Sequence, residues 1–134
     1  MYDLGLIQRS GKTINACLDL QNISPHELTV RYSYTIDPGS AGFFYIIRAN
    51  IYRTQAATTV GTAQIIVQIS FDGSTYYYAY NIALTNNTVG SASIAYPLIW
   101  IPLKSGEIVR VITIDNSVGG TCSYVLTMLG YLIR

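Results

Sequence analysis

Apolar side chains recur at every second position along nearly the whole of this chain, and no segment holds a 3.6-residue period. A period of two places one set of side chains on one face of an extended strand. A chain patterned this way buries its apolar set by pairing strands and packing sheets face to face. The pattern is plainest from His26 to Ile36. There Leu28, Val30, Tyr32, Tyr34 and Ile36 share one face, and Glu27, Thr29, Arg31, Ser33 and Thr35 the other. That predicts a sheet with one buried and one wet face. Thr13 to Leu20 sets Ile14, Ala16, Leu18 and Leu20 against Asn15, Cys17 and Asp19. Thr62 to Phe71 points Ala63, Ile65, Val67, Ile69 and Phe71 inward, and Ser74 to Leu84 aligns Tyr76, Tyr78, Tyr80, Ile82 and Leu84. In Glu107 to Asp115, Val109, Val111 and Thr113 oppose Ile108, Arg110, Ile112 and Ile114.

Three further runs are less regular. Phe43 to Arg53 begins apolar on both sides, which predicts a start buried on both faces. Gly90 to Ile101 carries Ala92, Ile94, Tyr96, Leu98 and Trp100 in register. Pro97 and Pro102 restrict it to an edge or a bulged end, because proline cannot donate to a ladder. Thr121 to Ile133 is apolar almost throughout, so it belongs at the centre of a sheet or in an interface. Turn chemistry separates the runs at Asn22–Pro25, Asp37–Ser40, Gln55–Gly61, Asn86–Asn87, Lys104–Gly106 and Asn116–Gly120. Asp72-Gly73 between two alternating runs is the strongest hairpin signal, read as a type I′ turn. Strands recurring every ~10–14 residues with turns between them predict an all-β fold. The expected architecture is an antiparallel β-sandwich of about eight strands, jelly-roll-like. The 134 residues fit one domain, with 1–12 an N-terminal arm or edge strand.

Half of the residues are hydrophobic and only 11% are charged, against about 25% in ordinary soluble domains. With 12 Tyr, the surface is either covered by neighbouring subunits or is the neutral polar skin of a rigid extracellular domain. Eight basic residues are scattered singly and the net charge is +1. A nucleic-acid footprint needs a basic stripe, so no nucleic-acid partner is expected. The longest apolar stretches, Ala41 to Ile47 and Ile94 to Ile101, fall far short of the ~18 residues of a membrane span. Met1-Tyr2-Asp3-Leu4 lacks the basic and apolar regions of a secretory signal, so assembly in the cytosol or release by lysis is expected. Cys17 and Cys122 lack metal or redox spacing. They are either two buried thiols or one disulfide joining the first and last long strands.

The inventory for catalysis is thin: one His, two Glu and five Asp. His26 follows a turn, with Cys17 and Asp19 near it in sequence only. Asp37, Asp72 and Asp115 stand at strand ends, where Asp bonds its own backbone. No pair is spaced for glycoside hydrolysis, and no calcium loop, phosphate loop, nucleophile elbow or H-E-x-x-H occurs. No enzyme activity, cofactor or metal is expected. The sequons at Asn22 and Asn86 are read as chance. The aromatics say more. Tyr76, Tyr78 and Tyr80 build either a cross-strand ladder or an interface. Trp100 beside two prolines is either a core side chain or a sugar platform. Tyr52, Tyr77 and Trp100 are the candidates for an interface or for ligand stacking.

The stretch Gln64-Ile65-Ile66-Val67-Gln68-Ile69-Ser70-Phe71-Asp72-Gly73-Ser74-Thr75-Tyr76-Tyr77 resembles a recurrent hairpin of small phage and virus structural proteins. In it a strand ends in S-x-D-G-[ST] before an aromatic. Glu107 through Gly119-Gly120 to Leu126 is similar to the final hairpin of such domains, so the resemblance covers roughly the second half. The Ile-, Tyr-, Thr- and Asn-rich, charge-poor composition also resembles virion proteins of archaeal viruses of hot habitats. The resemblance implies a capsid, decoration, turret or fibre subunit of a bacteriophage or archaeal virus. It would be assembled in the host cytoplasm as a homo-oligomer, a trimer or pentamer, bound to other virion proteins. It implies no catalytic residues. The competing reading is a carbohydrate- or receptor-binding module, a viral adhesin for a host-surface glycan. A cell-surface appendage subunit is a third.

Overall fold

The computed structural model describes residues 11–23, 28–59 and 61–133. Among them are nine strands and no helix: β1 (Gly11–Ile23), β2 (Thr29–Thr35), β3 (Ala41–Gln55), β4 (Ala63–Ser70), β5 (Tyr77–Leu84), β6 (Ala92–Ala95), β7 (Ile99–Leu103), β8 (Ile108–Asp115) and β9 (Thr121–Ile133). One sheet runs β1-β9-β3-β6, with β7 also on β3; the other runs β2-β8-β4-β5. β6 and β7 lie end to end along β3, Ala49–Tyr52 pairing with the first and Gly42–Ile46 with the second. They are one edge strand broken at Tyr96-Pro97-Leu98, where Leu98 takes a φ of 51°. Proline belongs on such an edge, as the sequence predicts.

Counted as eight strands, the winding is that of a jelly roll. β4 and β5 form a hairpin at the tip of the rolled chain. Behind it β3 pairs with β6 and β7, β2 with β8, and β1 with β9, all antiparallel. Every connection except β4–β5 crosses from one sheet to the other. The inner faces meet in one apolar core. β3 supplies Phe44, Ile46, Ala49 and Ile51, and β9 supplies Tyr124, Leu126, Met128 and Leu132. Ile65 and Val67 of β4 meet Val109 and Val111 of β8 from the other side. β9, apolar throughout, runs between β1 and β3 at the centre of its sheet.

Bulges break the simple alternation, since one extra residue turns every later side chain to the opposite face. In β2 the register shifts between Val30 and Tyr32. Tyr32, Tyr34 and Ile36 therefore turn to the core, while Leu28 and Val30 stay exposed. In β5 the shift leaves Ala79 unpaired. The expected tyrosine row splits: Tyr80, Ile82 and Leu84 point to the core, whereas Tyr78 is 65% exposed. In β3 a shift between Ile46 and Arg48 moves the inward set from even to odd residues. Its first half is not buried on both faces, because Phe43 and Tyr45 are only half-covered on the outer side.

The Asp72-Gly73 turn is not type I′. Gly73 has a φ of +84°, but Asp72 does not share a positive φ. The last pair is Ile69 with Tyr77, so a wide loop joins the strands. Asp72 Oδ1 organises it by accepting from the amides of Ser74 and Thr75, both at 2.8 Å. Phe71 falls in this loop and is exposed rather than inward. Lys12 and Gly11 belong to β1, an edge strand, while 1–10 lie outside the described residues. At the far end, Gly120 has a φ of +79°, and a Cβ there would sit 2.6 Å from the carbonyl oxygen of Gln55. Gly120→Ala is expected to lower stability by about 1–3 kcal/mol, measured by denaturant unfolding.

Candidate functional site

The outer face of the five-stranded sheet is built from the residues that β3, β7 and β9 turn away from the core. Across it Tyr45 pairs with Trp100 on one side and Leu129 on the other. Phe43 pairs with Pro102 and Tyr131. Direct cross-strand neighbours bring their side chains together. The rings of Tyr45 and Trp100 stack at 4.3 Å and 20°. Phe43 lies 4.8 Å from Trp100 and 5.9 Å from Tyr131. Thr13, Gly130 and these side chains line a shallow cleft of about 180 Å³. Trp100 remains 58% exposed and Leu129 43%. Among the described residues no charged side chain lines this cleft. Further along the face, Tyr96 is exposed beneath the Arg48 guanidinium, 5.8 Å from its ring centroid.

The three sequence candidates do not converge. Trp100 sits in the cleft just described. Tyr52, past the β3 bulge, pairs with Ala92 near Gly90 at the other end of the sheet. Tyr77 belongs to the second sheet, 5.9 Å from Phe71. Sequence reasoning missed the residues that make Trp100 a surface: Tyr45, Phe43, Leu129 and Tyr131. The signal was present, since both Phe43–Ile46 and Met128–Leu132 are apolar in each phase of the alternation. An apolar outer face is left over once the core is filled.

The outer face of the four-stranded sheet carries Arg110. Its guanidinium carbon lies 3.3 Å from the Tyr76 ring centroid, and Nε donates to Gln68 Oε1 at 2.8 Å. A second, wider cleft of about 560 Å³ opens at one end of the sandwich, lined by Phe71, Pro102, Lys104 and Glu107 among others.

Arg53, Asp115 and Ser117 form a hydrogen-bonded network in the interior. Arg53 is fully buried and its Nη1 donates to Asp115 Oδ2 at 2.7 Å. Asp115 Oδ1 accepts from the Ser117 amide at 2.9 Å and its hydroxyl at 2.6 Å. Burial alone pushes the Asp115 carboxyl up, but the hydrogen bonds from Ser117 and Arg53 outweigh it and hold the group below the ordinary carboxylate range. Burial drives the Cys122 thiol up to about 11, a state in which it is a poor nucleophile. Tyr34 is pushed up to about 12 by burial and by its hydrogen bond to Asp37. Both cysteines are free. Cys122 is buried, whereas Cys17 faces outward with Asp19 and is exposed, so the expectation of two buried thiols fails at Cys17. A disulfide between them is excluded because they point to opposite faces. His26 lies outside the described residues. Among the described residues no group of three His, Cys, Asp or Glu could hold a metal ion, and no helix is long and apolar enough to cross a membrane.

The strand order and the aromatic outer face define a jelly-roll β-sandwich with an apolar presenting surface. No family model and no curated protein matches the chain. Among solved structures it is similar to that of infectious bursal disease virus, Gx strain, at 18% identity and a TM-score of 0.47. It is also similar to the VP2 subviral particle of infectious bursal disease virus, at 15% and 0.42. These matches cover 91% and 92% of this chain but only 31% and 32% of those chains. The chain thus spans about a third of the length of these structures. TmCBM61, solved in complex with β-1,4-galactotriose, matches at 8% identity and a TM-score of 0.32, over 95% of this chain and 83% of that one. Likenesses this remote add nothing to the fold, which rests on the strand pairing itself.

Proposed function

We propose that this chain is a structural subunit of a virion, self-assembling and joining other coat proteins through the outer face of its five-stranded sheet. The observation that carries this reading is the cluster of Trp100, Tyr45, Phe43, Leu129 and Tyr131 around a cleft that no charged side chain lines among the described residues. Protein interfaces are enriched in aromatics and depleted of charge at their centres. Contiguous exposed apolar surface on one chain marks a contact site. The charge-poor composition supports the same reading, and the jelly-roll winding is one that capsid domains share with lectins.

Trp100→Asp tests it. Trp100 is more than half exposed, so the change is expected to leave the fold intact, as circular dichroism of the variant checks. Sedimentation of the full chain is expected to report an oligomer. The variant is expected to associate about 30-fold more weakly, the size of a ~2 kcal/mol hot spot. A wild-type chain that stays monomeric over a wide concentration range overturns the proposal.

A carbohydrate-binding module is the second reading, favoured by the open face of Trp100. Sugar sites add a few placed polar groups to an apolar platform, and among the described residues this cleft offers the hydroxyls of Thr13, Tyr45 and Tyr131. Glycan-array binding lost in Trp100→Ala, or in Tyr52→Ala or Tyr77→Ala, would move the function to this class.

A further inference from the structure

A two-sheet sandwich has four outer edges, and three of these are blunted. The β6–β7 edge is broken at Pro97, and Pro102 sits within β7. β2 is bulged between Val30 and Tyr32, and β5 at Ala79. Prolines and bulges are the devices by which sheet proteins prevent strands of other chains from pairing. β1 has neither. It runs opposite β9 from Gly11 to Leu20 without a register shift, it contains no proline, and it ends its sheet. Among the described residues no strand pairs with its outward row of amides and carbonyls, which is a template for another strand.

We propose that the occupant of this edge is β1 of a second copy, paired antiparallel about a two-fold axis through Cys17. This rests on the reading that the chain self-assembles, and it names the edge and register. Cys17 is the central residue of Gly11–Ile23. About that centre the strand is self-complementary. On the inner side Ala16 faces Leu18 of the second copy and Ile14 faces Leu20, small or medium against large. Ile14, Leu18 and Leu20 are only partly buried against the core, and pairing covers them. In this register Asp19 falls opposite position 15 of the second copy, so the two aspartates do not oppose each other. An isologous contact of this kind is closed and self-limiting. The five-stranded sheet becomes continuous across two copies, and the aromatic face with it.

Cys17 supplies the test. Facing residues of antiparallel strands have Cα atoms ~4.5–5.5 Å apart, within the ~4.4–6.8 Å that a disulfide spans. The full chain is treated with diamide under native conditions and read by non-reducing electrophoresis and peptide mass spectrometry. Two thiols lose two protons and two electrons to the diamide, which becomes its hydrazine. The expected product is a dimer linked Cys17 to Cys17, lost in Cys17→Ser, while buried Cys122 stays reduced. For the register, N15C and D19C are made separately on the Cys17→Ser background. Mixed, they are expected to cross-link to each other. N15C alone is not, since the two copies of residue 15 lie four positions out of register, about 13 Å apart.

Sedimentation of the untreated chain separates the two claims. An oligomer without the Cys17 link, or one in which N15C links to itself as readily as to D19C, overturns the β1 edge and its register but leaves self-assembly standing. A monomer throughout overturns both.

Discussion

Asp115→Ala is expected to destabilise the fold by about 3–5 kcal/mol, the cost of stranding a buried charge. Arg53 comes from β3 and Asp115 from the end of β8, so their 2.7 Å contact ties one sheet to the other. Side-chain exposures are 0% and 1%. Without the carboxylate, the guanidinium has no counter-ion among the described residues, where its Nε and Nη2 already lack hydrogen-bond partners. Ser117 loses the acceptor for its amide and hydroxyl. Urea unfolding followed by circular dichroism measures the loss. Replacing both partners, Arg53→Met with Asp115→Leu, is expected to cost much less than the two single changes added together, because no charge is left behind. Equal, additive losses would show that the pair is not coupled.

The same carboxylate sets the acid limb of stability. Its pKa is lower in the fold than in the unfolded chain, so the unfolded chain binds the proton more readily. The stabilisation is complete above the unfolded value of about 3.9, and it drains away as pH falls through the lower folded value. Asp72, held low by the amides of Thr75 and Ser74, acts in the same direction. Stability measured from pH 6 downward is expected to fall steeply only below about pH 4. In Asp115→Asn that slope flattens, because the contribution of Asp115 is gone while that of Asp72 remains.

Strand existence was legible because alternation and turn residues agree over most of the chain. β8 follows the sequence pattern residue by residue and β9 takes the central place that its apolar run predicts, since both run without a bulge in the middle of a sheet. What could not be read was parity beyond a bulge. Ile47, Arg31 and Ala79 each add one residue to a ladder, and nothing in their side chains announces it: both phases around Ile47 are apolar, and tyrosines flank Ala79. The site suffered from the same ambiguity. Trp100 could be named as a candidate, but its companions Tyr45 and Tyr131 are separated from it by 55 and 31 positions. Only strand order makes them neighbours. Asp115 was legible as a strand-end aspartate, which it is, but not as the partner of Arg53, 62 residues away.

Phe44→Ala is the second large effect, expected at about 3–5 kcal/mol. Phe44 is fully buried and pairs with Gly130 of β9 and Ile101 of β7. Its ring meets Tyr34 of the opposite sheet edge-on at 6.1 Å. The ring fits because residue 130 has no side chain: a Cβ there would lie 2.6 Å from Phe44 Cε1 and 3.2 Å from Ile14 Cβ. Gly130→Ala alone is therefore expected to cost about 1–3 kcal/mol through overpacking. In the Phe44→Ala background the added methyl enters vacated space. The double variant is then expected to be more stable than the sum of the two losses predicts, by about 0.5–3 kcal/mol. Additive losses would mean that Gly130 is needed for its backbone rather than for the room it leaves the ring. The outer face provides the functional control, because Phe44 lies between Phe43 and Tyr45 on the same strand. If Phe44 holds β3 flat under the aromatic cluster, Phe44→Ala weakens self-association as well as stability. Association then follows stability across Phe44→Ala and its double variant with Gly130→Ala, whereas Trp100→Asp weakens association about 30-fold without a matching loss of stability.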